Sequence, residues 1–204
     1  MKIIFDLSGV LLRWQPHDLL ARLLPEHATT LEATQALVLD FFQGFGGDWG
    51  EFDRGTLDAA PLAERISRRT SINLRDVRHV IDVIPQELQP VAASVDLLRR
   101  LHADGRELYF LSNMPEPYAR HLETTHAFFT LFRHGVFSAR VRSIKPEAAI
   151  FAHAQAAFGV GDLPPLFIDD VFDNVNAARA MGWRAIHFQD VVQCQSELAA
   201  LGLM

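Results

Sequence analysis

Apolar residues along this chain fall into two patterns. One is the short unbroken run: Ile3-Ile-Phe5, Leu108-Tyr-Phe-Leu111, Leu166-Phe-Ile168 and the mixed run Arg184-Ala-Ile-His-Phe188. Runs this short, bounded by charge or glycine, read as strands buried on both faces, as in a parallel sheet. Gly135-Val-Phe137 is a weaker candidate of the same kind.

The other pattern spaces apolar residues by three and four, the signature of a helix face. It covers Asp18–Leu24 and Thr30–Phe42, the latter with Leu31, Ala33, Leu37, Val38 and Phe41. A helix is expected from a capped start at Thr56–Pro61 through Arg69, and another from Asn73 to a stop before Pro85. Further helices are expected at Val91–His102, Pro115–Thr125, Glu147–Phe158, Asp173–Met181 and Ser196–Leu201. Residues 17 to 88 contain no strand-like alternation. Beyond Pro90 strands and helices alternate, which implies a parallel sheet with crossover helices. The expected architecture is therefore an α/β, Rossmann-like parallel-sheet core formed by residues 1–15 and 89–204. A small helical insert, residues 16–88, follows the first strand.

Composition narrows the function classes. The chain has 204 residues, 49% hydrophobic and 22% charged, which suits an ordinary globular protein. Its net charge of −6 is too acidic for a generic nucleic-acid binder. No run approaches the roughly 18 apolar residues of a membrane span, and Asp6 interrupts the apolar N-terminus of any signal peptide. The one cysteine, Cys194, excludes an intrachain disulfide and fits a reducing, cytoplasmic setting. The nine histidines show no metal-ligand spacing. A monomer or homodimer is expected, with no nucleic-acid or membrane partner.

The candidate chemistry sits where the strands end. Asp6 closes the first strand, Ser112-Asn113 the second and Asp169-Asp170 a later one, while Lys145 opens a helix after the weak strand. If these strands are neighbours, the groups converge at the carboxyl edge of the sheet, where open α/β folds bind ligands. There Asp6 alone is compatible with a nucleophile, a metal ligand or a general base. A carboxylate, a hydroxyl, an ammonium and an acidic pair together suit an anionic group held beside a divalent cation.

In order, Phe5-Asp-Leu-Ser-Gly-Val-Leu11, Leu111-Ser-Asn113, Ile144-Lys-Pro146 and Phe167-Ile-Asp-Asp170 resemble the four motifs of the haloacid dehalogenase superfamily. The insert then looks like its helical cap. Within the superfamily, Trp49-Gly-Glu-Phe-Asp-Arg-Gly-Thr-Leu-Asp58 and Asp169-Asp-Val-Phe-Asp-Asn174 are similar to two groups, the bacterial α-glucose-1-phosphate phosphatases and the phosphatase domain of soluble epoxide hydrolases. The resemblance implies Asp6 as the nucleophile, Ser112 as the phosphoryl-binding hydroxyl and Lys145 as the steadying cation. It implies Mg²⁺ held by Asp6, the Ser8 carbonyl and Asp170, with Asp169 beside them. Ser8, Gly9, Asn113, Asn174 and, from the cap, Trp49 are the expected substrate contacts. Asp173 is placed as polar support, and Gly44-Phe-Gly-Gly-Asp-Trp-Gly50 is read as a cap loop facing the site, with Phe45, Asp48 and Glu51 as further residues there.

One position departs from the superfamily's phosphatase pattern. Most members carry a second Asp two residues after the first as general acid and base, and here that residue is Ser8. Loss of such help costs roughly 10²–10⁴-fold. Three outcomes stay open: a leaving group that needs little protonation, a water or cap residue in place of the acid, or loss of catalysis. The expected function is a Mg²⁺-dependent phosphatase for a small phosphorylated metabolite, a sugar phosphate among the candidates, working through an aspartyl phosphate. The alternatives are a metal-independent 2-haloacid dehalogenase, against which the Asp169-Asp170 pair argues, and a non-catalytic binding protein on the same fold.

Overall fold

A computed structural model describes all 204 residues. Five parallel strands form one sheet in the order β3-β2-β1-β4-β5, with β1 (Lys2–Phe5) at its centre. β2 (Glu107–Ser112) pairs with β1 through Phe5 opposite Phe110, and β4 (Leu166–Asp169) pairs on the other side through Phe5 opposite Ile168. β3 (His134–Phe137) flanks β2, and β5 (Arg184–His187) flanks β4.

The unbroken apolar runs have a direct cause. Successive side chains of a strand point to opposite faces. Ile3, Phe5, Leu108, Phe110, Leu166 and Ile168 enter one hydrophobic cluster, whereas Ile4, Tyr109, Leu111 and Phe167 enter a second. The second cluster is closed by Ile150, Phe151 and Ala154 of α9 (Ala148–Ala157) and by Ala178 of α10 (Phe172–Ala180). The first is covered by α6 (Ala92–Ala103), α7 (Glu116–Thr125) and α11 (Val191–Ala200), and it runs on into the helices of the insert. Each fully buried Leu, Ile or Phe in these clusters contributes about 1.5–3 kcal/mol. No helix is long and apolar enough to cross a membrane.

Between β1 and β2 lie α1 (Pro16–Leu23), α2 (Leu31–Phe42), α3 (Gly47–Asp53), α4 (Ala59–Thr70) and α5 (Leu74–Glu87), ahead of α6. The helix expected over Thr30–Phe42 is α2, and Thr30 caps it by accepting the Ala33 N–H. Four expectations need correction. The Gly44–Gly50 stretch is not a loop: a 3-10 turn at Gln43–Phe45 leads into α3, which carries Trp49 into an aromatic cluster with Phe41, Phe42 and Phe52. The Lys145 segment does not open its helix directly, since α9 begins at Ala148. The last helix starts at Val191 instead of Ser196, because the Asp190 carboxylate accepts the N–H groups of Val192 and Gln193.

The fourth correction has a specific mechanism. α5 continues through Pro85 to Glu87. A proline inside a helix leaves the carbonyl four residues earlier without its donor. That carbonyl belongs to Ile81, and the buried hydroxyl of Tyr118 on α7 donates to it at 2.7 Å. A contact from across the fold thus replaces the bond that the backbone lost. Two further short elements went unforeseen, the helical turn α8 (Ser138–Val141) and a 3-10 turn at Ala127–Leu131.

Candidate active site

Asp6 follows β1 directly, its amide donating to the Ile168 carbonyl at 2.8 Å, so the sheet itself fixes the position of the carboxylate. Lys145 Nζ lies 2.8 Å from Asp6 Oδ1 and donates to Asp169 Oδ2 at 2.6 Å. The Leu7 amide donates to the same Asp6 oxygen at 2.7 Å. One carboxylate oxygen from each of Asp6, Asp169 and Asp170 lies within 4.8 Å of the other two. The strand-end groups therefore do converge at one edge of the sheet.

Their electrostatics are unbalanced. Three carboxylates face one ammonium. Burial pushes Asp6 up to about 7, with Lys145 opposing the shift and Asp169 and Asp170 adding to it. Burial likewise pushes Asp170 up to about 6, with repulsion from Asp169 adding. Lys145 is shifted upward despite its burial, held protonated by Asp169 and Asp6. A further cation would relieve this crowding. The available donors are hard oxygens: the Asp6 and Asp170 carboxylates and the Ser8 carbonyl, to which no protein group hydrogen-bonds. That donor set fits Mg²⁺.

The other motif residues mostly hold these groups in place. Asp169 is completely buried and accepts from Lys145, from the Val171 amide at 2.8 Å and from the Asn174 side-chain amide at 3.1 and 3.2 Å. Asn113 grips the Lys145 backbone from both sides, accepting its N–H at 2.7 Å and donating to its carbonyl at 2.9 Å. Gly9 has φ of +84°, and a Cβ there would collide with the Asp170 carboxylate. Only glycine allows the chain to turn that close. Ser112 is 1% exposed, and its Oγ has no hydrogen-bond partner. The hydroxyl lies behind the cavity surface, which its neighbour Asn113 reaches.

A cavity of about 390 Å³ opens over this cluster. Asp6, Ser8, Asn113, Lys145, Asp170, Asp173 and Asn174 form its floor, and Trp49 and Phe45 join Trp14, Ile84, Leu88, Met114, Tyr118 and Ile144 in its walls. Asp48 and Glu51 point elsewhere, into ion pairs with Arg65 and Arg69. One wall residue was missed in the sequence, Asp53, the last residue of α3. It stands inside the motif-like stretch Trp49–Asp58, and an acid two residues before Gly55 was the available signal.

A family model for haloacid dehalogenase-like hydrolases matches residues 3–182. A sesquiterpene phosphatase of Aspergillus oryzae is 25% identical over 200 residues, covering 97% of this chain and 94% of the relative. A drimenol cyclase of Aspergillus calidoustus is 30% identical over 152 residues, or 72% of this chain and 29% of that larger protein. Among solved structures, a HAD family enzyme of Bacteroides thetaiotaomicron, also solved with magnesium and inorganic phosphate, superposes with a TM-score of 0.70 at 18% identity, covering 92% of this chain and 93% of its own. The L-2-haloacid dehalogenase of Xanthobacter autotrophicus superposes with a TM-score of 0.63 at 15% identity, covering 90% and 75%. At such identities the structural likeness concerns the fold.

Proposed function

Because the chain belongs to the haloacid dehalogenase-like hydrolase family, we propose that it is a Mg²⁺-dependent phosphatase whose substrate is the phosphate monoester of a small, largely apolar alcohol. The observation that carries the phosphatase reading is the excess of carboxylate at the floor: Asp6, Asp169 and Asp170 against Lys145. A dianionic phosphate cannot approach that floor without a cation. Asp6, Asp170 and the Ser8 carbonyl would hold Mg²⁺, with Asp169 behind them. When bound, the metal supplies charge neutralisation for the phosphoryl oxygens and the nucleophile.

The residues of the chain then divide the work. An Asp6 oxygen attacks phosphorus in line as the bond to the alcohol oxygen breaks, leaving an aspartyl phosphate. Lys145 offsets the charge of the phosphoryl group, and its place is set by Asp169 and by the grip of Asn113 on its backbone. The Ser112 hydroxyl, buried without a partner behind the floor, would have to come forward to donate to a phosphoryl oxygen. Water releases phosphate and restores Asp6. Residues 16–88 act as a cap over the core, 1–15 and 89–204, and exclude bulk water.

The walls argue for the alcohol's character. Trp14, Phe45, Trp49, Ile84, Leu88 and Met114 offer a sugar only two indole N–H donors, so most hydroxyls of a carbohydrate would lie unpaired against them. The sesquiterpene phosphatase that resembles the chain over nearly its whole length acts, by its name, on a substrate of the apolar kind.

The test is hydrolysis of 4-nitrophenyl phosphate with and without Mg²⁺, with Asp6→Asn as control. Turnover that needs Mg²⁺ and falls at least about 10³-fold in the variant is expected. Octyl phosphate should then outperform glucose 1-phosphate in kcat/KM. Halide release from 2-chloropropionate without metal, and no phosphate release, would move the reading to a dehalogenase.

A further inference from the structure

We propose that Asp53 is the catalytic proton donor to the leaving alcohol, taking from the helical segment the role that Ser8 cannot fill; this rests on the phosphatase reading above. Asp53 is only 5% exposed, yet it lines the same cavity as Asp6, Ser8 and Lys145. No hydrogen bond or ion pair from the protein ends on its carboxyl group. A buried carboxyl group that faces a cavity without a partner is strongly disfavoured as an anion. Burial pushes it up to about 8, against the pull of Lys145, so it carries its proton at neutral pH. An acid titrating near the working pH is the most effective kind of proton donor.

Its position is fixed from outside the helix. The Ser138 hydroxyl donates to the Asp53 carbonyl at 2.5 Å and accepts the Met114 amide at 2.8 Å, which ties the end of α3 to the ends of β2 and β3. The next residue, Arg54, makes a two-pronged ion pair with Glu147, at 2.7 and 2.5 Å, two residues beyond Lys145. Gly55, with φ of +72°, seats the chain against the Ala139 carbonyl, which a Cβ would approach to 2.9 Å. Asp53 is thereby anchored to the same strand ends that carry the phosphoryl-handling groups.

Of the other titratable groups of the cavity, Asp173 is solvent-exposed on α10, on the sheet side, and the rest are engaged. Lys145 is paired with Asp6 and Asp169. The Tyr118 hydroxyl is spent on Ile81, and burial together with the proximity of Asp53 raises its pKa well above the usual value. Asp6 and Asp170 belong to the carboxylate cluster on the floor. Asp53 alone reaches the cavity from the helical wall, where the alcohol must lie if phosphorus is attacked from the floor.

The step balances as follows. The Asp6–phosphorus bond forms, the bond from phosphorus to the alcohol oxygen breaks, and the Asp53 proton passes to that oxygen. The alcohol leaves neutral and Asp53 becomes a carboxylate. It then takes a proton from the attacking water as the Asp6–phosphorus bond breaks, which returns both groups to their starting state and releases inorganic phosphate.

The experiment compares two esters in the full chain with Mg²⁺. In Asp53→Asn, kcat/KM for octyl phosphate should fall roughly 10²–10³-fold, while that for 2,4-dinitrophenyl phosphate, whose phenolate leaves without a proton, should change less than about threefold. Asp53→Glu, which keeps an acid, should recover part of the octyl phosphate activity. With Mg²⁺ present to hold Asp6 and Asp170 ionised, an infrared carbonyl band from a protonated carboxyl group should be present in the wild type at pH 7 and missing from Asp53→Asn. Equal losses on both esters, no loss on either, or no such band in the wild type would overturn the assignment and leave the phosphatase reading standing. A wild type that hydrolyses neither ester would overturn the phosphatase reading, and the role of Asp53 with it.

Discussion

The hydroxyl of Ser138 donates to the carbonyl of Asp53 at 2.5 Å, across 85 residues of sequence. Ser138 is completely buried and sits where β3 ends and α8 begins. This one side chain joins the helical segment to the sheet edge at the cavity.

Ser138→Ala leaves the Asp53 carbonyl and the Met114 amide without their partner. Each unsatisfied buried group costs about 1–3 kcal/mol. A drop of that order in unfolding free energy is expected by urea titration, together with a loss in kcat that exceeds any change in KM. A variant as stable and active as the wild type would show that the Ser138 link is dispensable.

Asp53 makes stability depend on pH in a definite direction. Burial raises its folded pKa to about 8, from an ordinary 3.8. Between those values the folded state keeps a proton that the unfolded state has lost. The stability it supports is complete below about pH 4 and declines as pH rises to about 8, by at most ~1.4 kcal/mol per pH unit. Asp53→Asn removes this slope. Relative to the wild type, the variant should therefore gain stability from pH 5 to pH 8, by up to about 4 kcal/mol. Denaturant titrations of both proteins at the two pH values check this, with Mg²⁺ held constant so that Asp6 and Asp170 contribute equally. A constant difference would mean that Asp53 titrates normally.

Lys145 is fully enclosed between Asp6 and Asp169. Lys145→Met strands two buried carboxylates and is expected to cost about 3–5 kcal/mol. Adding Asp169→Asn removes one of the stranded charges. The double variant should therefore be more stable than Lys145→Met alone, although it remains inactive. Additive losses in a double-mutant cycle would sink the idea that the pair is coupled.

Tyr118→Phe should cost about 1–3 kcal/mol, because it leaves the Ile81 carbonyl unpaired beside Pro85. In a Pro85→Ala background the restored backbone N–H can serve that carbonyl, and the same substitution should cost less. Equal costs in both backgrounds would show that the proline and the tyrosine are independent.

Much of this was legible in the chain. Unbroken apolar runs mark β1, β2 and β4, whose two faces are both covered, while the edge strands β3 and β5 stand at the weaker Gly135–Phe137 run and the mixed Arg184–Phe188 run. Thr30 and the spacing behind it mark α2. What failed did so where a distant residue overrode a local rule. Pro85 reads as a stop unless Tyr118 is known to reach Ile81, and the glycines of 44–50 read as a loop unless Trp49 is known to pack on Phe42. At the site, Asp6, Asp169 and Asp170 were legible because strand ends in a parallel sheet share one edge, whereas Lys145, which lies past β3 and α8, was legible from the Ile144-Lys-Pro146 motif.

By itself the sequence determined the parallel α/β core, the place of the helical insert and the acidic edge with its single lysine, because these follow from periodicity and from residues that end strands. Tertiary structure alone decided that Asn113 and Asn174 hold Lys145 and Asp169, that the cavity wall is apolar, and that Asp53 is buried without a partner within it. Those properties depend on burial and on contacts between segments far apart in the chain. A carboxyl group has one chemistry in solvent and another when the fold withdraws the water around it, and no local pattern of residues specifies which will hold.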